Sequence, residues 1–173
     1  MADMDFDVVQ GDIAQQSADV LVNAAGTSLR MGSGVAGALR RGAGGAINKE
    51  AMSKGPVELG EVAVTDAYDL DAEWVIHAAA MPHYDDGQAT AASIADATQN
   101  TLAEADALGA TSLVIPALGT GVAGFSLADG ARLICETIRD YEPASLADVR
   151  LIAYSDEDFE TIRDVADAVR SEG

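Results

Sequence analysis

The sequence has one cysteine, two histidines and two lysines among its 173 residues. One cysteine excludes a disulfide within the chain and a zinc site built from several cysteines. Two histidines are too few for a histidine-rich metal centre, so we predict no metal and no other cofactor. No apolar run approaches the roughly 18 residues that a membrane span needs, and the acidic N-terminus lacks a signal-peptide pattern. We therefore expect a cytoplasmic protein that does not contact membranes, with one domain over residues 1–173.

Acidic residues outnumber basic ones by 29 to 10, which gives a formal net charge of −19. The acids are scattered and do not form the long run that marks a disordered acidic tail. Charges at this density repel one another unless salt screens them. This acid-rich, lysine-poor usage resembles that of proteins from salt-accumulating halophiles and predicts a halophilic archaeal source. The same charge argues against nucleic acid as a partner, because binding to a phosphate backbone requires basic patches.

Hydrophobic periodicity divides the chain into strands and helices that alternate along most of its length. The predicted strands are residues 5–10, 19–24, 61–67, 74–79, 112–117 and 149–154. The predicted helices are residues 34–54, 88–108, 127–141 and 158–170, and Gly42, Gly44 and Gly45 divide the first of them into two. This order predicts an α/β fold with a mostly parallel sheet covered on both faces. The third and fourth strands are expected to be antiparallel, because the segment between them is too short for a crossover.

Three turns that follow predicted strands are candidates for a ligand site, because open α/β sheets bind ligands beyond the carboxyl ends of their strands. They are residues 11–13, 23–37 and 116–125, and the last two are rich in glycine. Glycine lets the backbone approach a ligand closely, and a helix start offers unpaired amides that suit phosphate. Two such loops facing one crevice would hold a diphosphate with backbone amides alone. The alternative is that the glycines only build tight turns.

Motifs in these turns and in the strands beside them resemble those of macro domains. In chain order they are GDI at 11–13, DVLVNAAG at 19–26, GSGVAGAL at 32–39, GEVAVTDAYDL at 60–70, WVIHAA at 74–79 and VIPALGTGVAGFSL at 114–127. The resemblance covers nearly the whole chain. It implies a three-layer α/β/α fold with a six-stranded mixed sheet, and a crevice for ADP-ribose or a close relative.

The resemblance also implies roles for individual residues. Asp12 would accept a hydrogen bond from the adenine amino group, the Ile13 amide would contact the ring, and Tyr154 would stack on it. Asn23 would either brace its loop or touch ribose. The alternative for Asp12 is an ordinary turn aspartate, and the alternative for Tyr154 is an ordinary core tyrosine at the end of a strand. The residues expected to line the diphosphate and the distal ribose are Gly32, Ser33, Gly34 and Val35 in one loop and Gly119, Thr120, Gly121, Val122 and Ala123 in the other.

Three positions depart from the hydrolytic macro domains that the sequence resembles. Gly26 stands where many of them have asparagine, Ala36 where many have aspartate, and Ala123 where an aromatic residue is frequent. Two functions stay open: binding of ADP-ribose, free or on an ADP-ribosylated protein, and hydrolysis of an ADP-ribosyl, acetyl or phosphate ester at the distal ribose. The departures favour binding and leave catalytic residues unassigned.

The two histidines carry different expectations. His77 lies inside a buried predicted strand, so we expect it to be structural even though histidine titrates near neutral pH. His83 lies beside Tyr84 in a polar loop and is the better candidate for a ligand contact near the distal ribose. Both lysines, Lys49 and Lys54, fall in a predicted helix, so neither matches the strand lysine that serves as nucleophile in another macro-domain subclass.

Overall fold

The structure is a computed structural model that describes residues 4–82 and 87–172. Its strands are β1 (Asp5–Gln10), β2 (Val20–Gly26), β3 (Val62–Asp66), β4 (Trp74–Met81), β5 (Ser112–Pro116) and β6 (Asp148–Ala153). They form one sheet in the order β1-β6-β5-β2-β4-β3. β3 pairs with β4 antiparallel and every other neighbouring pair in this sheet is parallel. The sheet is six-stranded and mixed, as predicted.

Helices cover both faces of this sheet. They are α1 (Gly34–Ala43), α2 (Ile47–Ser53), α3 (Ala91–Ala107), α4 (Leu127–Asp140) and α5 (Asp156–Glu172), and single 3₁₀ turns span Ile13–Gln15 and Gly121–Ala123. Successive strand residues point to opposite faces, so Val20 and Val22 of β2 share a core cluster with α3, α4 and α5. Leu21, between them, packs in the cluster that includes α1 and α2. The three-layer α/β/α fold is therefore confirmed.

The start of α3 differs from the prediction. The helix begins at Ala91 rather than at residue 88, because Thr90 and Ser93 form a reciprocal cap. Thr90 Oγ1 accepts a hydrogen bond from the Ser93 amide at 3.0 Å, and Ser93 Oγ accepts one from the Thr90 amide at 2.9 Å. Leu108 caps the other end, and Gly109 follows it as the predicted stop.

The boundary between α1 and α2 also differs from the prediction, at Gly42. Gly42 lies inside α1 and does not interrupt the helix, whereas Gly44 and Gly45 lie between the two helices as predicted. A Cβ on Gly42 would come within 2.9 Å of Leu70 Cδ2 and 3.1 Å of the Ala14 Cβ atom. Glycine at this position thus permits close packing of α1 and does not end it.

The topology places one set of loops together. β1, β2, β5 and β6 run in the same direction, so they end at the same edge of the sheet, at Gln10, Gly26, Pro116 and Ala153. The three turns singled out in the sequence follow three of these ends. The candidate residues carried by these turns are consequently neighbours in space even though up to about 110 positions separate them in the chain.

Candidate functional site

A continuous cleft opens at the carboxyl ends of these strands. It consists of two adjoining cavities of about 400 and 340 Å³, a size usual for small-molecule sites. We call the first the Asp12 cavity, which Gly11, Asp12 and Ile13 line at its far end, and the second the Gly121 cavity, which is lined by residues of the loop at 117–123. The residues that line both cavities, and so join them, are Gly34, Val35, Pro116, Ile152 and Tyr154.

Asp12 and Tyr154 lie together in the Asp12 cavity. Asp12 caps the 3₁₀ turn that follows it, and its Oδ1 accepts a hydrogen bond from the Ala14 amide at 2.9 Å. This bond orients the carboxylate, while Oδ2 has no hydrogen-bond partner among the described residues. Ile13 is 5% exposed, so its backbone is anchored in the core. Tyr154 directly follows β6 and is 80% exposed, which leaves its ring available to stack on a planar ligand.

The first glycine loop brings the start of α1 to the cleft. Ser33 is the N-cap residue, but its side chain makes no capping hydrogen bond, so it satisfies none of the first helical amides. Gly34 and Val35 line both cavities, and Ser33 lines the Gly121 cavity. Gly32 precedes them and is not among the described lining residues. This helix end offers free N–H groups and a partial positive charge to the cleft.

The second glycine loop forms the opposite wall of the Gly121 cavity. Gly119, Thr120, Gly121 and Ala123 line it, and Val122 lies in the same 3₁₀ turn as Gly121. Thr120 Oγ1 donates to the Ala117 carbonyl at 2.8 Å, which closes the loop on itself. A Cβ on Gly119 would come within 2.6 Å of Ile94 Cγ1. The loop therefore packs tightly on α3 and turns its backbone toward the cavity.

Asn23, like Gly32 and Val122, is a predicted site residue that is not among the residues lining either cavity. It is fully buried in β2, and its Nδ2 is 3.0 Å from Nδ1 of His77 on β4. Nε2 of His77 is 3.0 Å from Oγ1 of Thr65, whose hydroxyl donates to the Asp66 carbonyl. Thr65 thus accepts from Nε2–H, and Nδ1 accepts from Asn23. This arrangement favours the bracing role for Asn23.

Burial determines the charge of His77. Removal from water lowers the pKa of this imidazole to about 4, against a smaller opposite effect of the Glu50 carboxylate. His77 is therefore neutral near pH 7 and bonded on both ring nitrogens, as expected of a structural histidine. His83, the other candidate, lies outside the described residues.

Sequence reasoning missed part of the cleft lining. Ile152 lies near the end of β6, where the rule about strand ends could have found it, whereas Pro116 at the end of β5 begins a turn that the sequence singled out. No local sequence motif marks Arg41 of α1 or Asp158 of α5 as a site residue, because only the packing of their helices brings them to the cleft. Among the other lining residues, Gly11, Ala24, Ala25 and Ala117 lie in the three turns that the sequence singled out, although no role was assigned to them. The lining residues outside those turns are Ala38, Met81, Leu127, Ala153 and Ile162.

A larger cavity, of about 590 Å³, lies at the amino end of β1 between α4 and α5. Both arginines that line it are engaged by the protein. Arg139 pairs with Asp140, with Nε 2.8 Å from Oδ1, and Arg170 pairs with Asp167 and donates to the Phe6 carbonyl. The two arginines of this cavity are thus already paired, whereas Oδ2 of Asp12 and the guanidinium of Arg41 in the cleft have no partner among the described residues. We therefore take the cleft as the candidate site.

Residues 4–82 and 87–172 contain no group of three or more His, Cys, Asp or Glu side chains placed to hold a metal ion. None of the helices in the same ranges has the length and hydropathy to cross a membrane.

A family model described as Macro domain matches residues 22–134. The chain belongs to the macro domain family. Among curated relatives, an uncharacterized protein of Mycobacterium tuberculosis is 40% identical over 153 residues, 88% of this chain and 42% of that protein. A macro domain-containing protein of Streptomyces nogalater is 38% identical over 168 residues, 93% of this chain and 92% of that protein. The chain thus spans less than half the length of the mycobacterial relative.

Solved macrodomains share this fold. A point mutant of the Oceanobacillus iheyensis macrodomain with ADPR superposes with a TM-score of 0.85 and 25% identity, over 96% of this chain and 93% of that one. The Trypanosoma brucei macrodomain in complex with ADP-ribose gives a TM-score of 0.81 and 23% identity, over 91% of this chain and 68% of that one.

This macro domain leaves little room for a side chain at Gly26, where many hydrolytic members have asparagine. The pairing of β2 with β4 slips by one residue between Ala25 and Gly26, so that Gly26 lies opposite Met81. A Cβ on Gly26 would be 3.0 Å from the Pro82 carbonyl oxygen. An asparagine here would require the backbone at residue 82 to move.

Ala36, where many hydrolytic members have aspartate, is also enclosed in this macro domain. It is 5% exposed and belongs to the core cluster that includes Met31 and Leu39. Ala123 is 6% exposed, and its carbonyl accepts from the Ala89 amide at 3.0 Å. The small residues at positions 26, 36 and 123 are thus closely packed by their surroundings, which leave little space for the larger side chains of hydrolytic members.

Proposed function

We propose that this macro domain binds ADP-ribose in the cleft, with adenine in the Asp12 cavity and the diphosphate and distal ribose in the Gly121 cavity. The observation that carries the proposal is the continuity of the two cavities. The Asp12 carboxylate lies at one end and the loop at 119–123 at the other, and the Tyr154 ring and the start of α1 line both cavities. The likeness to the O. iheyensis macrodomain with ADPR, at 25% identity, supports it.

The Asp12 cavity suits an adenine ring for three reasons. Asp12 has one carboxylate oxygen held by the Ala14 amide and the other free among described contacts to accept from the exocyclic amino group. Ile13 supplies a backbone amide at a fixed position. Tyr154 supplies a flat, exposed ring, and stacking of this kind contributes ~1–3 kcal/mol for a base on an aromatic side chain.

The Gly121 cavity suits a diphosphate that is held without lysine. The first amides of α1 and those of residues 119–123 are the donors that we assign to the phosphate oxygens, together with the partial positive charge at the helix start. Amide donors are neutral, so they do not depend on a basic patch that this acidic chain lacks.

We infer that binding, to free ADP-ribose or to ADP-ribosylated protein, is the main activity. Gly26 and Ala36 carry no group that could orient water or a ribose hydroxyl. The alternative, hydrolysis of an ADP-ribosyl, acetyl or phosphate ester, rests on Asp158, the one carboxylate among the described residues that line the Gly121 cavity. A turnover assay on ADP-ribosylated protein separates the two. Release that Asp158→Asn abolishes would establish the alternative, and intact substrate supports binding.

The test of the binding mode is Asp12→Asn, examined by calorimetry. An asparagine can still cap the 3₁₀ turn through its oxygen, but its other atom is an amide nitrogen, which cannot accept from adenine. We expect micromolar affinity for ADP-ribose in the parent, equivalent to about −8 kcal/mol, and a loss of roughly tenfold in the variant.

A matched ligand serves as the control for this variant. The hypoxanthine analogue of ADP-ribose carries an oxygen where adenine has its amino group, so the parent should bind it weakly and Asp12→Asn should restore its binding. If the variant weakened both ligands equally, Asp12 would have only its structural role in the turn.

A further inference from the structure

Arg41 is a charged group in the Asp12 cavity that the proposed binding mode does not use. It lies in the last turn of α1 and lines the cavity together with Asp12 and Tyr154. Gly34, Ala38 and Arg41 are spaced by four and three residues, which places them on one face of the helix. All three line the Asp12 cavity, so this face of α1 is the one turned to the ligand.

The side chain of Arg41 folds back toward the start of α1. Its Nη1 atom lies 3.2 Å from the point where a Cβ on Gly37 would be, and the Gly32 carbonyl oxygen lies 2.9 Å from that same point. The guanidinium therefore rests over the bare backbone of Gly37, beside the first glycine loop. Any side chain at residue 37 would displace it. Arg41 thus connects the adenine end of the cleft with the loop assigned to phosphate.

Arg41 makes no ion pair and no hydrogen bond with any of the described residues, in a chain that carries 29 acids. Its neighbour Arg40 is different, because Arg40 Nη1 donates to the Met31 carbonyl at 3.1 Å. A guanidinium has five N–H donors in a planar fork and stays charged at every physiological pH. An unpaired one at the rim of a concave site is suited to an anionic ligand.

We propose that Arg41 recognises a phosphoryl group on the adenosine half of the ligand and makes this macro domain prefer phosphorylated adenosines to adenosine. This inference rests on the proposed function. Two phosphates have the required chemistry. One is the phosphate attached to the 5′ carbon of adenosine, which is half of the diphosphate of ADP-ribose. The other is a 2′-phosphate on the adenosine ribose, a group that arginine also accommodates in dinucleotide-binding proteins.

The experiment compares the parent, Arg41→Gln and Lys49→Gln by calorimetry with ADP-ribose, adenosine 5′-monophosphate, adenosine 2′-monophosphate and adenosine. Lys49 is exposed on α2, outside the lining of the cleft, so Lys49→Gln matches the change in net charge alone. We expect Arg41→Gln to weaken phosphorylated ligands by roughly five- to tenfold and to leave adenosine unchanged. Selective loss for the 5′- or the 2′-monophosphate identifies which phosphate Arg41 contacts.

Salt supplies a second readout that a purely structural role would not change. The ratio of parent to Arg41→Gln affinities should shrink between 0.1 M and 1 M potassium chloride, because salt screens an exposed ionic contact. An equal loss for adenosine, no loss for either monophosphate, or the same loss in Lys49→Gln would overturn the inference. ADP-ribose binding that Arg41→Gln leaves intact would overturn it and spare the proposed function, whereas a parent that binds no ADP-ribose would refute both.

Discussion

At the scale of single residues, Gly121 and Gly109 have the same backbone conformation in different surroundings. Their φ angles are 68° and 77°, and a Cβ on either would meet no other atom within 4 Å. Gly121 lines the cleft, whereas Gly109 follows the end of α3. Substitutions at both positions should cause the same backbone strain, but only a side chain at residue 121 could contact a ligand. Comparing the two therefore separates backbone strain from ligand contact.

Gly121→Ala is expected to weaken ADP-ribose binding at least tenfold, because the methyl group would occupy space where the loop approaches phosphate. Gly109→Ala should leave the affinity unchanged. Both variants should lose a similar ~1–2 kcal/mol of stability from the left-handed conformation. Calorimetry and chemical unfolding of the two variants check this. Equal affinities in a folded pair would remove the second glycine loop from the site.

The site residues divide by how far the sequence could reveal them. Asp12 was predicted because it lies in a motif and Tyr154 because it stands at the end of the last predicted strand, and both line the Asp12 cavity. Arg41 was not assigned to the site, because only the helical spacing within α1 and the direction of its side chain bring it there. The contact of Asn23 with His77 was also hidden, since it depends on the register between β2 and β4.

At the scale of elements, hydrogen-bonded polar side chains link neighbouring elements in two parts of the fold. Asn23, His77 and Thr65 link β2, β4 and β3 by side-chain hydrogen bonds. On the other side, Asp106 of α3 accepts from the Ser145 amide at 2.9 Å and the Leu146 amide at 2.8 Å, and so holds the loop before β6. Burial raises the pKa of Asp106, but hydrogen bonds outweigh it and lower the value to about 2.

These two groups predict separate steps in acid. Folded His77 has a pKa of about 4 against an ordinary value of 6.5, so the unfolded chain binds more protons between these pH values. The free energy of unfolding should then fall as pH decreases from 6.5 to 4, by up to about 3 kcal/mol at ~1.4 kcal/mol per unit of pKa. The contribution of Asp106 is present above pH 3.8 and is lost only as pH falls toward 2.

Urea unfolding of the parent and of His77→Gln between pH 7 and pH 4 checks the first step. The parent should lose stability over this range and the variant should lose less, because glutamine has no proton to gain. Parallel curves for the two proteins would show that His77 is not the group that titrates.

The order of elements could be read from the sequence because hydrophobic periodicity and short connections determine it. β3 and β4 pair antiparallel as the short segment between them required. The residues at which helices begin and end were harder to predict from the sequence. The cap formed by Thr90 and Ser93 is a recognisable signal, but Gly42 resembles a helix break and is a packing contact with Leu70 that only the tertiary structure reveals.

At the scale of the whole molecule, the excess of acidic residues determines how the stability depends on salt. The described residues form seven ion pairs, so most of the acidic residues among them have no basic partner. The screening length falls from ~10 Å at 0.1 M salt to ~3 Å at 1 M. The melting temperature should therefore rise across this range, most steeply at its low end.

A scan of melting temperature and ADP-ribose affinity in potassium chloride tests this expectation. The affinity should hold or rise, because screening the repulsion between an anionic ligand and an acidic chain outweighs the loss of one exposed arginine contact. A flat melting temperature would contradict a halophilic origin, which stays a prediction. An affinity that collapses with salt would mean that arginines, and not backbone amides, supply most of the phosphate binding.

The most direct test of the central claim is a crystal structure of this macro domain with ADP-ribose. We expect the adenine amino group within hydrogen-bond distance of Asp12, the adenine ring against Tyr154, and the diphosphate on the amides of residues 34–35 and 119–123. Density for the ligand in the larger cavity beside Arg139 and Arg170, or a reversed orientation with phosphate at Asp12, would contradict the account.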